Sequence, residues 1–132
     1  MSRTLLIIKP DAVERNLIGH IIARLERAGF RVLAMQMIKM SVDGAREFYA
    51  VHRGKPFYDN LVAFMTSGPV VPVLLEKENA VADLRALVGA TNPEEAACGT
   101  IRSDIARSTE RNSVHASDSD ENAAREIAFF FP

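Results

Sequence analysis

The sequence predicts an α+β fold in which an antiparallel four-stranded sheet carries helices packed on it. Two patterns point there. Short branched apolar runs alternate with stretches whose apolar residues recur at helical spacing. The resulting order is strand, helix, strand, helices, strand, helix, loop, strand, helix, which matches a ferredoxin-like split βαβ unit with helices on one sheet face. The 132 residues, 48% hydrophobic and 25% charged, suit one domain spanning residues 1–132 with a core of its own.

Taken in order, Thr4 to Ile8 reads as a buried strand stopped by Lys9-Pro10. Leu17, Ile18, Ile21, Ile22, Leu25 and Ala28 mark a helix that Asn16 caps and Gly29 ends. Arg31 to Lys39 is the second strand, with Leu33, Met35 and Met37 on one face and apolar residues on the other. Ser41 caps a short helix carrying Ala45, Phe48 and Tyr49, and a further helix runs from about Tyr58 to Thr66, before Gly68-Pro69. Val70 to Leu75 is the third strand; Pro72 lacks an N–H and belongs at an edge or bulge. Asn79 caps a helix that turns Val81, Leu84, Leu87 and Val88 inward and ends at Gly89. Gly89 to Ser113 lacks a long periodic pattern, and a structureless loop of that length in a small domain is either functional or misassigned. Val114 to Ser117 is a short extended piece, and the last helix starts near Ser119 and buries Ala123, Ile127 and Phe130.

Composition narrows the function classes. Sixteen basic residues against seventeen acidic ones give a net charge of -1, which argues against a protein that lives by coating nucleic acid. The single cysteine, Cys98, rules out an intrachain disulfide and a cysteine zinc cage. No apolar stretch approaches the length of a membrane span, so a soluble cytoplasmic protein without membrane or nucleic-acid partners is expected.

Three histidines are present. His20 and His52 read as surface or helix-end residues. His115 sits between the last strand and the cap of the last helix, where free N–H groups suit anions. A neutral imidazole there is a competent nucleophile, and on spacing alone a structural histidine stands level with it. Glu126, three residues after Ala123 and four before Phe130, borders the buried face of the last helix. It either reaches solvent past the rim or fixes the ring of His115. Lys9, Arg85 and Arg102 flank the long loop and would form a phosphate clamp if they converge.

Five stretches appear in order: Lys9-Pro10-Asp11, Thr66-Ser67-Gly68-Pro69, Gly89-Ala90-Thr91-Asn92-Pro93, Gly99-Thr100-Ile101-Arg102, and Asn112, His115, Ser117 and Asp118 at fixed spacing. Together they resemble the nucleoside diphosphate kinases from Arg3 to Phe131. The resemblance implies a ping-pong transfer of the γ-phosphate from a nucleoside triphosphate to a nucleoside diphosphate, with Mg²⁺ on the phosphates and no dedicated metal ligands. It implies that His115 is phosphorylated, that Ser117 and Glu126 orient it, and that Tyr49 lies beside it. Lys9 and Asn112 would bind sugar hydroxyls and the nearby phosphate; Arg85, Thr91 and Arg102 would hold phosphates; Phe57 would stack on the base with little discrimination. It also implies a homo-oligomer, hexamer first and tetramer second. Where relatives usually have Gly after the histidine this chain has Ala116, and Cys98 stands where Pro is common. Ala116 is the one feature behind an alternative reading, a nucleotide-binding regulatory or scaffold protein with weakened catalysis.

Overall fold

The computed structural model describes residues 1–109 and 111–132. Four strands, β1 (Ser2–Ile8), β2 (Arg31–Met35), β3 (Val71–Lys77) and β4 (Val114–Ala116), form one antiparallel sheet in the order β2-β3-β1-β4. The helices are α1 (Pro10–Glu14), α2 (Ile18–Arg27), α3 (Val42–Phe48), α4 (Tyr58–Met65), α5 (Ala80–Val88), α6 (Ile101–Ile105) and α7 (Asp120–Phe130), with a 3₁₀ turn at Ala50–His52. The predicted fold class holds.

Helices cover both faces of the sheet, not one. The reason is in β1, where Leu5, Leu6, Ile7 and Ile8 are all fully buried, and successive side chains point to opposite faces. Leu6 and Ile8 join Ile21 and Leu25 of α2 and Leu84 and Val88 of α5 in one core. Leu5 and Ile7 join Phe48 of α3, Met65 of α4 and Phe130 of α7 in the other. The second core carries the site, because α3 and α7 pack there against the strand end that precedes Lys9.

Several local expectations are corrected. Asn16 and Asn79 are not side-chain caps: both adopt left-handed backbone, φ 59° and 50°, and neither α2 nor α5 receives a side-chain cap bond from its N-terminal flank. The Ser2 hydroxyl instead accepts from the Ala80 N–H at 2.9 Å. β2 ends at Met35 rather than Lys39. Gln36 N–H donates to the Pro72 carbonyl, but Pro72 cannot return the bond, and pairing resumes only at the isolated Ile38–Val70 bridge. Pro72 thus lies in an internal strand, its donorless side turned to the edge strand β2. β2 is bulged between Val32 and Ala34, and Leu33, Met35 and Met37 are exposed. Finally, the segment Gly89–Ser113, which includes residue 110 outside the described set, contains α6, with the Thr100 side chain accepting from the Ser103 N–H. The caps at Ser41 and Ser119 are as expected.

Candidate active site

β4 places His115 opposite Ile7 of β1, while its neighbours Val114 and Ala116 point into the other core. The imidazole therefore emerges on the α3/α7 side, with the Phe48 and Tyr49 rings edge-on at centroid distances of 5.5 and 6.0 Å. The Ser119 side chain caps α7, and Glu126, on the buried side of that helix, faces the ring. His115 Nε2 lies 2.8 Å from Glu126 Oε1, and the Ser117 hydroxyl donates to the same oxygen at 2.7 Å. Burial pushes the Glu126 carboxyl up, but the His115 and Ser117 contacts and the Arg125 charge outweigh it and hold the group below its ordinary value. An ionised carboxylate only accepts, so Nε2 presents its hydrogen to Glu126, and in the neutral ring that tautomer leaves the lone pair on Nδ1. Burial, reinforced by the Glu126 charge, raises the Tyr49 phenol well above its usual value, so it stays neutral.

The opposite wall is cationic. Lys9, at the end of β1, donates from Nζ to Asn112 Oδ1 at 2.9 Å, and Asn112 Nδ2 donates to the Thr91 carbonyl at 3.4 Å. Burial first, and then the Arg102 charge, lowers the Lys9 ammonium to about 8, partly offset by Asp11. Arg102 donates to the Gly89 carbonyl at 3.0 Å and the Val114 carbonyl at 2.8 Å. Its Nε is buried without a partner among the described residues. Burial and the Arg85 charge lower the guanidinium to about 10. Arg85 approaches the Ala116 carbonyl at 3.5 Å, so the two arginines hold the strand carbonyls on either side of His115.

A strained joint links the two walls. Ser113 has φ 74°, and the Val114 N–H donates to the Asn112 carbonyl across it, a tight three-residue turn. The Ser113 hydroxyl donates to Asp11 Oδ2 at 3.0 Å, and its carbonyl accepts from the Lys9 N–H. The start of α1 thereby holds the approach to His115.

Lys9, Tyr49, Phe57, Arg85, Thr91, Arg102, Asn112, His115 and Glu126 line one cleft of about 550 Å³, and Ser117 sits fully buried behind it. The residues singled out in the sequence are brought together. Phe57, 44% exposed, stands at the outer rim. His52 ends the 3₁₀ turn, as expected of a helix-end residue, and it also lines the cleft 5.2 Å from the Phe57 ring, where burial together with neighbouring cations lowers its pKa. Asp118, Arg125 and Asn60 also line the cleft and had no role in the sequence reading, although Asp118 lies within the last motif. Ala116 has no positive φ, which removes the argument for a crippled site.

Fold and cleft define an α+β anion-binding protein built around a histidine held by a carboxylate. The family model described as nucleoside diphosphate kinase matches residues 2–132. A nucleoside diphosphate kinase of Prosthecochloris aestuarii is 60% identical over 131 residues, covering 99% of this chain and 93% of that protein. One of Desulfatibacillum aliphaticivorans is 56% identical, covering 99% and 95%. The crystal structure of the Aquifex aeolicus nucleoside diphosphate kinase superposes with a TM-score of 0.97 at 44% identity, covering 99% of this chain and 95% of that one. The chain belongs to the nucleoside diphosphate kinase family and is a phosphotransferase acting on nucleotides.

Proposed function

We propose that this enzyme works by a two-step exchange through His115. In the first step Nδ1 attacks the γ-phosphorus of a nucleoside triphosphate. The N–P bond forms as the bond from phosphorus to the bridging oxygen breaks, and the nucleoside diphosphate leaves. In the second step a terminal phosphate oxygen of another diphosphate attacks the same phosphorus and frees the ring. The observation that carries this reading is the 2.8 Å contact from His115 Nε2 to Glu126, which leaves Nδ1 the free nucleophile and offers the carboxylate to the positive charge the ring gains. Lys9, Arg85 and Arg102 supply charge to a phosphate chain, Thr91 and Asn112 lie beside it, and Phe57 offers a stacking face to any base.

Magnesium fits this cleft as a partner of the nucleotide. Among the described residues no three His, Cys, Asp or Glu side chains are grouped to hold an ion, while Asp118 presents one carboxylate to the cleft. When bound with the nucleotide, the ion would neutralise phosphate charge, with Asp118 a cleft carboxylate available to it or its waters. No helix among the described residues is long and apolar enough to cross a membrane, and a cytoplasmic setting suits a nucleotide exchanger. The exposed edge of β2 supports assembly into a homo-oligomer, and the family resemblance puts a hexamer before a tetramer.

The test is initial-rate kinetics with varied triphosphate and diphosphate. Parallel double-reciprocal lines, with ATP and GTP within a hundredfold in kcat/KM, support the reading; intersecting lines overturn it.

A further inference from the structure

Glu126 uses its two oxygens unequally. Oε1 takes both the His115 ring and the Ser117 hydroxyl. Oε2 faces the Arg125 guanidinium at 3.6 Å, its one ionic partner among the described residues. Arg125 is the residue just before Glu126 on α7, and the direction in which its side chain bends is fixed by two further contacts. Nη1 donates to the Phe48 carbonyl at 3.4 Å, and the guanidinium carbon lies 5.9 Å from the centre of the Phe48 ring. That same ring packs edge-on against His115 at 5.5 Å. Arg125 therefore bridges the carboxylate that holds the nucleophile and the aromatic wall that confines it.

We infer that Arg125 is a positioning residue for the phosphoryl transfer, acting through Glu126 by fixing the plane of its carboxylate and balancing its charge. A carboxylate with one oxygen doubly engaged and the other loose can swing about its last torsion, and each swing misdirects Nε2. A cation on the second oxygen narrows that motion. Because the Arg125 side chain is 41% exposed and the Glu126 side chain only 6%, the pair lies between a weak surface ion pair and a buried one, and its effect on rate is correspondingly moderate. Arg125 also lines the cleft, so a direct contact with substrate phosphate is the rival role that the test must separate.

This inference rests on His115 as the phosphate carrier. The experiment is a double-mutant cycle read by the single-turnover rate of His115 phosphorylation at saturating Mg·ATP, with the KM for ATP measured alongside. Arg125→Ala should lower the rate about three- to tenfold with KM within twofold, and Arg125→Lys, which keeps the charge but not the two-nitrogen bridge, should recover only part of that loss. In a Glu126→Gln background, Arg125→Ala should cause no further loss, because the charge it balances is gone. Circular dichroism and melting checks that each variant is folded. A raised KM at unchanged rate, or rate losses that multiply across the double variant, overturns the positioning role. Absence of any phosphate on wild-type His115 would instead refute the carrier reading itself, so the two failures are distinguishable.

Discussion

His115 and Glu126 come from neighbouring elements and meet at 2.8 Å, Nε2 to Oε1, with the carboxylate almost wholly buried. They lie eleven positions apart, spanned by the end of β4, the Ser119 cap and the first turns of α7. The contact determines which ring nitrogen is free. It also commits Glu126 to its ionised form inside the protein, where only the donors around it make that state tolerable.

The buried Lys9 is a cation held at a cost in stability. Its pKa falls from 10.5 to about 8 on folding, so between those values the unfolded chain binds more protons and stability rises with pH. Below pH 8 the full penalty of the buried charge applies. Lys9→Met should therefore melt a few degrees higher than wild type at pH 7, with the advantage fading towards pH 10, while kcat/KM falls at least tenfold. Melting curves across pH test this, and a variant that melts lower at pH 7 and no differently at pH 10 would contradict it.

Ala116 lies in β4 without a positive φ. A glycine there gains no conformational relief and loses about 0.5–1 kcal/mol of stability through added freedom in the unfolded chain. Ala116→Gly should leave kcat within twofold of wild type. A severalfold gain would mean that the methyl group itself hampers the reaction.

Gly89 closes the base of the loop that carries Thr91. Its φ is +90°, and a Cβ would stand 2.6 Å from Thr100 Oγ1 and 2.8 Å from Thr100 Cβ. Thr100 cannot step aside cheaply, because its hydroxyl donates to the Ala97 carbonyl and accepts from the Ser103 N–H. Gly89→Ala should cost roughly 2–4 kcal/mol and raise the KM for nucleotide. Denaturant unfolding and steady-state kinetics check both, and a loss below about 0.5 kcal/mol would mean that the loop base yields.

The edge strand β2 exposes Leu33 and Met35, the latter 52% accessible, and Met37 just beyond it is exposed too. An open apolar edge invites pairing with another copy. Met35→Arg should shift the mass distribution in mass photometry from the assembly towards monomer. A wild-type chain that is monomeric at micromolar concentration would refute the oligomer.

The sequence displayed what local rules control. The apolar spacing of α2, the serine caps of α3 and α7, and the branched run of β1 each follow from the chain's own periodicity and capping chemistry. The five-residue helices α1 and α6 escaped because so short a helix shows no period. Asn16 and Asn79 misled because asparagine suits both a cap and a left-handed turn, and only the tertiary path decides which. At the site, the positions of His115, Glu126, Lys9, Arg85 and Arg102 are legible from motif and order, while their convergence on one cleft is not, because spacing does not display it. His52, Asp118 and Arg125 were not assigned there because their nearness to the cleft is created by packing of α3, α4 and α7, which no spacing displays.

The account stands most directly on the chemistry of one ring. Incubated with γ-labelled Mg·ATP, the protein should acquire label on His115. The adduct should be lost in acid, survive alkali, and discharge on addition of any nucleoside diphosphate, while His115→Ala should take up none. Label mapping to His52, or to a serine such as Ser117, would contradict the mechanism even if nucleotide kinase activity were intact.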